Sequence, residues 1–419
     1  MPQNSKSEAV EGSKGSALSQ NSSMQAHQLK GKPFGLYSSL PYYFLLILYV
    51  LTYVCIVYYK NPYWVIAVAF LGIPVADYFS HDWLNPTPEQ YKELENSVWF
   101  KIPLLTLTFV DTVFVFWMIS YLSENSFPWV FYPGAIYIGG AISGSNFLIA
   151  HELFHKRGML NQVLGSLTMA KNLYMHFYIE HNFGHHKNVA TPMDPASSRY
   201  GESLFQYLPR TIIGSYKSAW NIENRRLMKL RGHKTPWVVQ NKMIWFTLNN
   251  FVLPLAVLLK FGVKGLIIYL LIVVISVVTL ETINYIEHYA LERKQIGPNE
   301  YERVTIMHSW NAPQRFSNYL LFKLQRHSDH HENAYKPYQV LLTKDESPML
   351  PHGYTLCLIL SNFPKVWFKM MDRSLAAYKE KRELTKEERR QNDVESWIIF
   401  SVLGAIFGVL CIINIYSNN

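Results

Sequence analysis

The stretch LQRHSDHH, at 324–331, places His327, His330 and His331 around Asp329 within five positions. Three other short runs are as dense: HELFHK from His151, EHNFGHH from Glu180 and NYIEHY ending at Tyr289. On a helix, residues three and four apart share a face. His151 with His155, His181 with His185, and His327 with His330 or His331 can therefore present paired imidazoles, and His186 and His288 add to them. One metal ion takes about three or four such ligands. The set His151, His155, His181, His185, His186, His288, His327, His330 and His331 thus points to two ions. HExxH alone also fits a zinc peptidase, but that reading leaves the remaining histidines idle. His27, His81, His176, His233, His308 and His352 stand singly and read as interfacial polar groups.

Glu152, Glu180, Glu287 and Asp329 each adjoin one of these histidines. Each can accept the second ring N–H, which would fix the tautomer. Imidazole suits zinc, copper, iron and nickel alike. Cys55, Cys357 and Cys411 stand far apart and form no CxxC, which excludes an iron–sulfur cluster, a zinc ribbon or a rubredoxin-like module in this chain and gives no disulfide framework.

The elements that must position this chemistry are apolar. Runs at 42–59, 63–79, 100–122, 129–150, 244–261, 265–286 and 397–416 approach or reach the length that spans a hydrocarbon core of about 30 Å. Residues 1–38, rich in Ser, Gln, Gly and Lys, read as a disordered tail without the apolar core of a secretory signal. Links near 60–62, 123–128 and 262–264 are short and almost uncharged, whereas 151–243 and 289–395 are long and basic. That asymmetry places both long segments, and the N-terminus, on the cytoplasmic side. The net charge of +9 is then a membrane-orientation signal, and nucleic acid is excluded as a partner.

Metals at the mouth of a helical bundle, above a lipid-accessible interior, suit a substrate dissolved in the bilayer. Attack on an unactivated C–H bond needs an oxidant made from O2 at a redox metal, which iron supplies and zinc does not. Histidines gathered on one side argue against a metal transporter, whose ligands would follow a pathway through the membrane. Asp77, Asp111 and Asn146 lie inside apolar runs; Asn146, five residues before His151, is placed to support the metal site. Gly139, Gly140, Gly144 and Ser145 allow close helix approach, and Trp64, Phe70, Trp117 and Phe147 read first as packing.

In this order the four histidine runs resemble those of the membrane-bound non-haem diiron alkane monooxygenases, the alkane 1-hydroxylases, within the fatty acid desaturase and hydroxylase superfamily. NPTPE at 85–89 and TPMDPASSRYGES at 191–203 are similar to further segments of that family. The resemblance covers about 42–373; LQRHSDHH and NYIEHY are its specific elements, the other two runs being shared in form with desaturases. It implies that the nine histidines hold two iron ions and that medium- or long-chain n-alkanes from the membrane are hydroxylated at the chain end with O2. It also implies electrons from rubredoxin and rubredoxin reductase. The chain itself has no GxGxxG opening a strand–helix unit. The alternative is a desaturase or ω-hydroxylase of fatty acyl chains fed by a b-type cytochrome, against which NYIEHY argues.

The expected architecture is all-α and integral to the membrane. A six-helix transmembrane bundle with a cytoplasmic histidine-rich catalytic cap occupies 39–373, the cap being 151–243 and 289–373. The family pattern ends there, but here a charged segment at 374–395, in which TKEE at 385–388 forms a capping box, leads to an extra C-terminal transmembrane helix at 396–419.

Overall fold

A computed structural model describes residues 35–230 and 237–418, so the expected tail as far as residue 34, together with His27 and His233, lies outside the described residues. Backbone groups in a bilayer must be satisfied within the segment, which leaves helices as the solution for single runs. Among the described residues the chain is accordingly all-α apart from a small antiparallel hairpin, Gln295–Gly297 against Glu300–Tyr301.

The first half comprises α1 (Leu36–Val57), α2 (Tyr63–Tyr78), α3 (Pro88–Glu95), α4 (Val98–Glu124), α5 (Phe131–Ser145), α6 (Phe147–Phe154), α7 (Met159–Lys171) and α8 (Phe177–Glu180). The second half comprises α9 (Leu204–Lys229), α10 (Lys242–His288), α11 (Arg315–Leu320), α12 (His327–Glu332), α13 (Tyr354–Leu360), α14 (Pro364–Lys379) and α15 (Lys386–Asn418). Among the described residues α1, α4, α10 and α15 are long and apolar enough to cross a membrane, and α2 is apolar but shorter. The expected run at 129–150 becomes α5 and α6, which meet at Asn146.

At 47 residues α10 is far longer than a bilayer needs. It is two helices joined at Gly262, whose φ of 69° and ψ of −172° suit glycine and interrupt the helical backbone. The break falls inside the link expected at 262–264. Its second arm packs closely on α5: a Cβ at Gly140 would lie 2.6 Å from Ile275 Cβ.

The short links gather at one end of the bundle. Lys264 Nζ donates to Asn125 O at 2.7 Å, Tyr63 OH to Val130 O at 2.7 Å, and Asn414 Nδ2 to Lys60 O at 2.7 Å. The basic segments and the histidines belong to the other ends of these helices. This chain is a multi-pass membrane protein whose histidine-rich region faces the cytoplasm.

The polar residues in the apolar runs brace this arrangement. Asp77 accepts from Phe316 N at 2.8 Å and Ser317 N at 3.1 Å, capping α11. Asp111 pairs with Lys171 at the end of α7 and accepts from Tyr49 OH at 2.9 Å. Asn146 Nδ2 meets Tyr49 OH, so it belongs to that brace. The TKEE box forms as expected, with Glu388 N donating to Thr385 Oγ1 at 3.2 Å and Thr385 N to Glu388 Oε2 at 2.7 Å.

Candidate metal centre

The nine histidines converge from four places in the chain. His151 and His155 leave the end of α6, and His288 ends α10. His327, His330 and His331 lie on the short helix α12. Between α8 and residue 186 the helix widens into a π-helical turn, His181–His185, in which His186 N donates back to His181 O. Such single wide turns recur at functional sites because they shift the face a side chain occupies.

That turn decides the partition. His151, His155, His181, His186 and His330 form one group, and His185, His288, His327 and His331 form another, the ligand nitrogens of each lying within 4.8 Å of one another. His181 and His185, four apart, therefore serve different groups, and so do the adjacent His330 and His331. Gly184 lies inside the turn: a Cβ there would stand 2.5 Å from Glu180 Oε1 and 3.0 Å from Ile222 Cδ1.

The ring nitrogens are arranged for a cation. In the first group, Nε2 of His155, His181 and His186 meet at 3.0–3.2 Å. In the second, Nε2 of His327 stands 3.2 Å from that of His288 and 3.0 Å from that of His331. Three such atoms cannot all be satisfied by shared protons, since a neutral imidazole carries one N–H. Nε2 of His151, His185 and His330 is buried with no protein partner. Unmet polar atoms at this density are costly, and two metal ions would satisfy them. Burial first, and neighbouring imidazoles next, hold His155, His181, His186, His330 and His331 well below the usual imidazole range. They are neutral at pH 7, the form that ligates.

The second ring nitrogens of His185 and His288 are held by groups other than the acidic neighbours, and those of His327 and His331 meet no protein partner. His185 Nδ1 lies 2.8 Å from Asp194 Oδ2, which also accepts from Ser197 Oγ at 2.6 Å, while Ala196 N donates to Asp194 Oδ1 at 3.0 Å. Burial works against the Asp194 carboxylate, yet His185 and these bonds leave it below its ordinary range. His288 Nδ1 lies 3.3 Å from His308 O. Glu152 instead pairs with Lys156 at 2.9 Å and accepts from Tyr338 N, and Asp329 is tied to Lys336 at 2.8 Å and to Leu342 N. Glu287 approaches His327 on its Nε2 side, at 3.2 Å. The reason is helical rotation: the next residue on a helix points about 100° away.

Arg326 fixes the base of α12. Its buried guanidinium donates to Leu341 O at 2.7 Å, to Asn85 Oδ1 at 3.2 Å and to Asp82 Oδ2 at 3.1 Å. Asn85 Nδ2 in turn donates to Thr343 O, so the NPTPE segment helps to clamp the last histidine run, on α12. A small crevice borders the first group, lined by Leu148, His151, Leu321, Phe322, Leu324 and His330 with Glu152 and Leu341. Phe322 and Lys323, with φ of 52° and 54°, make the turn that brings these leucines to the histidines. Of the aromatics in the apolar runs, Trp64 faces outward and Phe147 is buried edge-on to Tyr174.

Comparison with known proteins agrees with this construction. The fatty acid desaturase family model matches residues 127–354. The alkane 1-monooxygenase of Acinetobacter baylyi is 40% identical over 328 residues, covering 76% of this chain and 78% of the relative. Alkane 1-monooxygenase 2 of Pseudomonas aeruginosa is 37% identical over 336 residues, 78% of this chain and 88% of its own. A more distant relative, the xylene/toluene monooxygenase hydroxylase component of Pseudomonas putida, is 27% identical over 58% of this chain and 63% of its own length. The chain belongs to the alkane 1-monooxygenase family within the fatty acid desaturase superfamily.

Proposed function

We propose that the two histidine groups hold two non-haem iron ions and that the enzyme converts medium- or long-chain n-alkanes to 1-alkanols. In balance, alkane, O2, two electrons and two protons give 1-alkanol and water. The observation that supports this most is the pair of buried all-imidazole groups, His151, His155, His181, His186 and His330 beside His185, His288, His327 and His331. Iron bound there supplies the reductive activation of O2 that zinc lacks.

The chain's own residues do the rest. Terminal C–H bonds are stronger than internal ones, so attack at the chain end has to come from orientation. Leu148, Leu321, Phe322 and Leu324 exclude water beside His151 and His330. Asp194 holds His185 in the tautomer that turns its Nε2 inward.

Rubredoxin, reduced by rubredoxin reductase, is the proposed electron source. Lys187 adjoins His186, the partly exposed ring of the first group, and Arg293 Nη1 donates to Lys187 O at 3.0 Å. Basic residues there suit an acidic carrier. The catalytic unit is 39–373 with its cap at 151–243 and 289–373, six crossings being counted if α10 crosses twice about Gly262 and α5 with α6 once. Residues 374–395 lead to a further crossing at 396–419. In support, Asn392 and Glu395 are tied to Arg373 near the histidine end, at 2.7 and 2.9 Å, while Asn414 reaches Lys60 at the other.

The test is gas chromatography with mass spectrometry on a host lacking alkane oxidation that expresses the chain with rubredoxin and its reductase, fed an n-alkane and a fatty acid. A 1-alkanol is expected. An unsaturated or ω-hydroxy acid with the alkane untouched would move the enzyme to acyl-chain substrates.

A further inference from the structure

Away from the histidines, a cavity of about 340 Å³ lies where the first turns of α15 lean on the end of α2 and on the segments before α11 and α13. Two of its wall residues are buried with a polar atom unmet. Asn392, 1% exposed, accepts from Arg373 Nη1 through Oδ1 but has no partner for Nδ2, and Gln314, 7% exposed, has none for Oε1. An unmet donor and an unmet acceptor thus lie just behind the wall of one cavity whose volume suits a small ligand.

The same wall carries both charges. Arg389 is exposed and paired with Glu383 at 2.5 Å, an arrangement that exchanges readily for a better anion. Asp393 accepts from Tyr78 OH at 3.2 Å. Tyr78 and Trp397 stand edge to face at 5.2 Å, at the level where the apolar runs of α2 and α15 end. Aromatic pairs of this kind mark the headgroup region of a membrane.

We propose that this cavity binds a phosphate–ammonium pair, the headgroup of a zwitterionic phospholipid with a primary amine. The phosphate accepts from Arg389 and Asn392 Nδ2. The ammonium donates to Asp393 and Gln314 Oε1. A quaternary ammonium has no proton to give these acceptors, and a glycerol headgroup has no charge for Asp393, so both are discriminated against. Bound there, the lipid seals the seam between α15 and the bundle.

The test is native mass spectrometry of the full chain in detergent, titrated with phosphatidylethanolamine, phosphatidylcholine and phosphatidylglycerol of the same acyl chains, and separately with free phosphoethanolamine. Phosphatidylethanolamine is expected to bind about tenfold more tightly than the other two, with the preference reduced to about twofold in Arg389→Gln and in Asp393→Asn. Both substitutions fall on partly exposed side chains, so an unchanged circular dichroism spectrum shows that the fold is intact. Binding of the lipid assigns the ligand to the membrane. Binding of phosphoethanolamine alone, with the same dependence on the two residues, assigns it to solution. Equal retention of the three lipids with no phosphoethanolamine bound, or full preference in both variants, overturns the proposal.

Discussion

Two of the polar clusters buried in this chain are built on opposite plans. Around Asp111, unlike meets unlike: Lys171 pairs with the carboxylate and donates to Ser143 Oγ and Thr168 O at 3.3 Å, and Tyr49 OH donates to Asp111. Around His155, His181 and His186, like meets like, nitrogen against nitrogen at 3.0–3.2 Å. In the first cluster both charges and the Tyr49 hydroxyl find their partners within the protein, and the set braces α1, α4 and α7. The second leaves ring nitrogens that bound cations would satisfy. Burial of polar side chains is therefore no guide to function here until the partners are counted.

The contrast breaks first at the proposed ligands. His330→Ala and His331→Ala, one from each group, are expected to abolish oxygenase turnover and to lower bound iron, read by product chromatography and plasma mass spectrometry. Normal turnover in either variant removes that residue from the ligand set.

The brace responds differently. Asp111→Ala leaves the Lys171 ammonium buried and unpaired, a loss of about 3–5 kcal/mol. Asp111→Leu combined with Lys171→Met removes both charges and is expected to recover most of it. Thermal unfolding in detergent reads the difference, and iron per folded chain is expected to stay at the wild-type value. A double variant that loses iron while remaining folded would make the brace part of the centre.

A smaller effect is expected outside the ligands. Asp194→Asn keeps the shape but not the charge that holds His185 Nδ1, and iron affinity should fall by about 10–100-fold in chelator competition. An unchanged affinity would leave Asp194 with a packing role only. Smallest of all, Arg382→Gln breaks an exposed pair with Glu388 and should leave turnover and the unfolding midpoint unmoved.

The histidine set was legible because helical spacing shows which residues can share a face. Its partition was not. Spacing of four pairs His181 with His185, and only the wide turn at 181–185, which no 3.6-residue pattern reveals, sends them to different groups. The acidic neighbours misled for a related reason, since adjacency in a helix separates side chains by about 100°. Asp194, nine residues beyond His185 within TPMDPASSRYGES, has no spacing that marks it, and only the folded chain brings its carboxylate to the ring. Asp77 and Asp111 drew attention as polar groups in apolar runs, yet their partners, Phe316, Ser317 and Lys171, lie too far along the chain for spacing to find.

The most direct measurement of the two-ion centre is iron per chain, by plasma mass spectrometry, set against alkane turnover as the purified apoprotein is loaded in steps. Turnover rising with iron up to two ions per chain is the expected result. Full turnover at one ion, or with zinc alone, would contradict it.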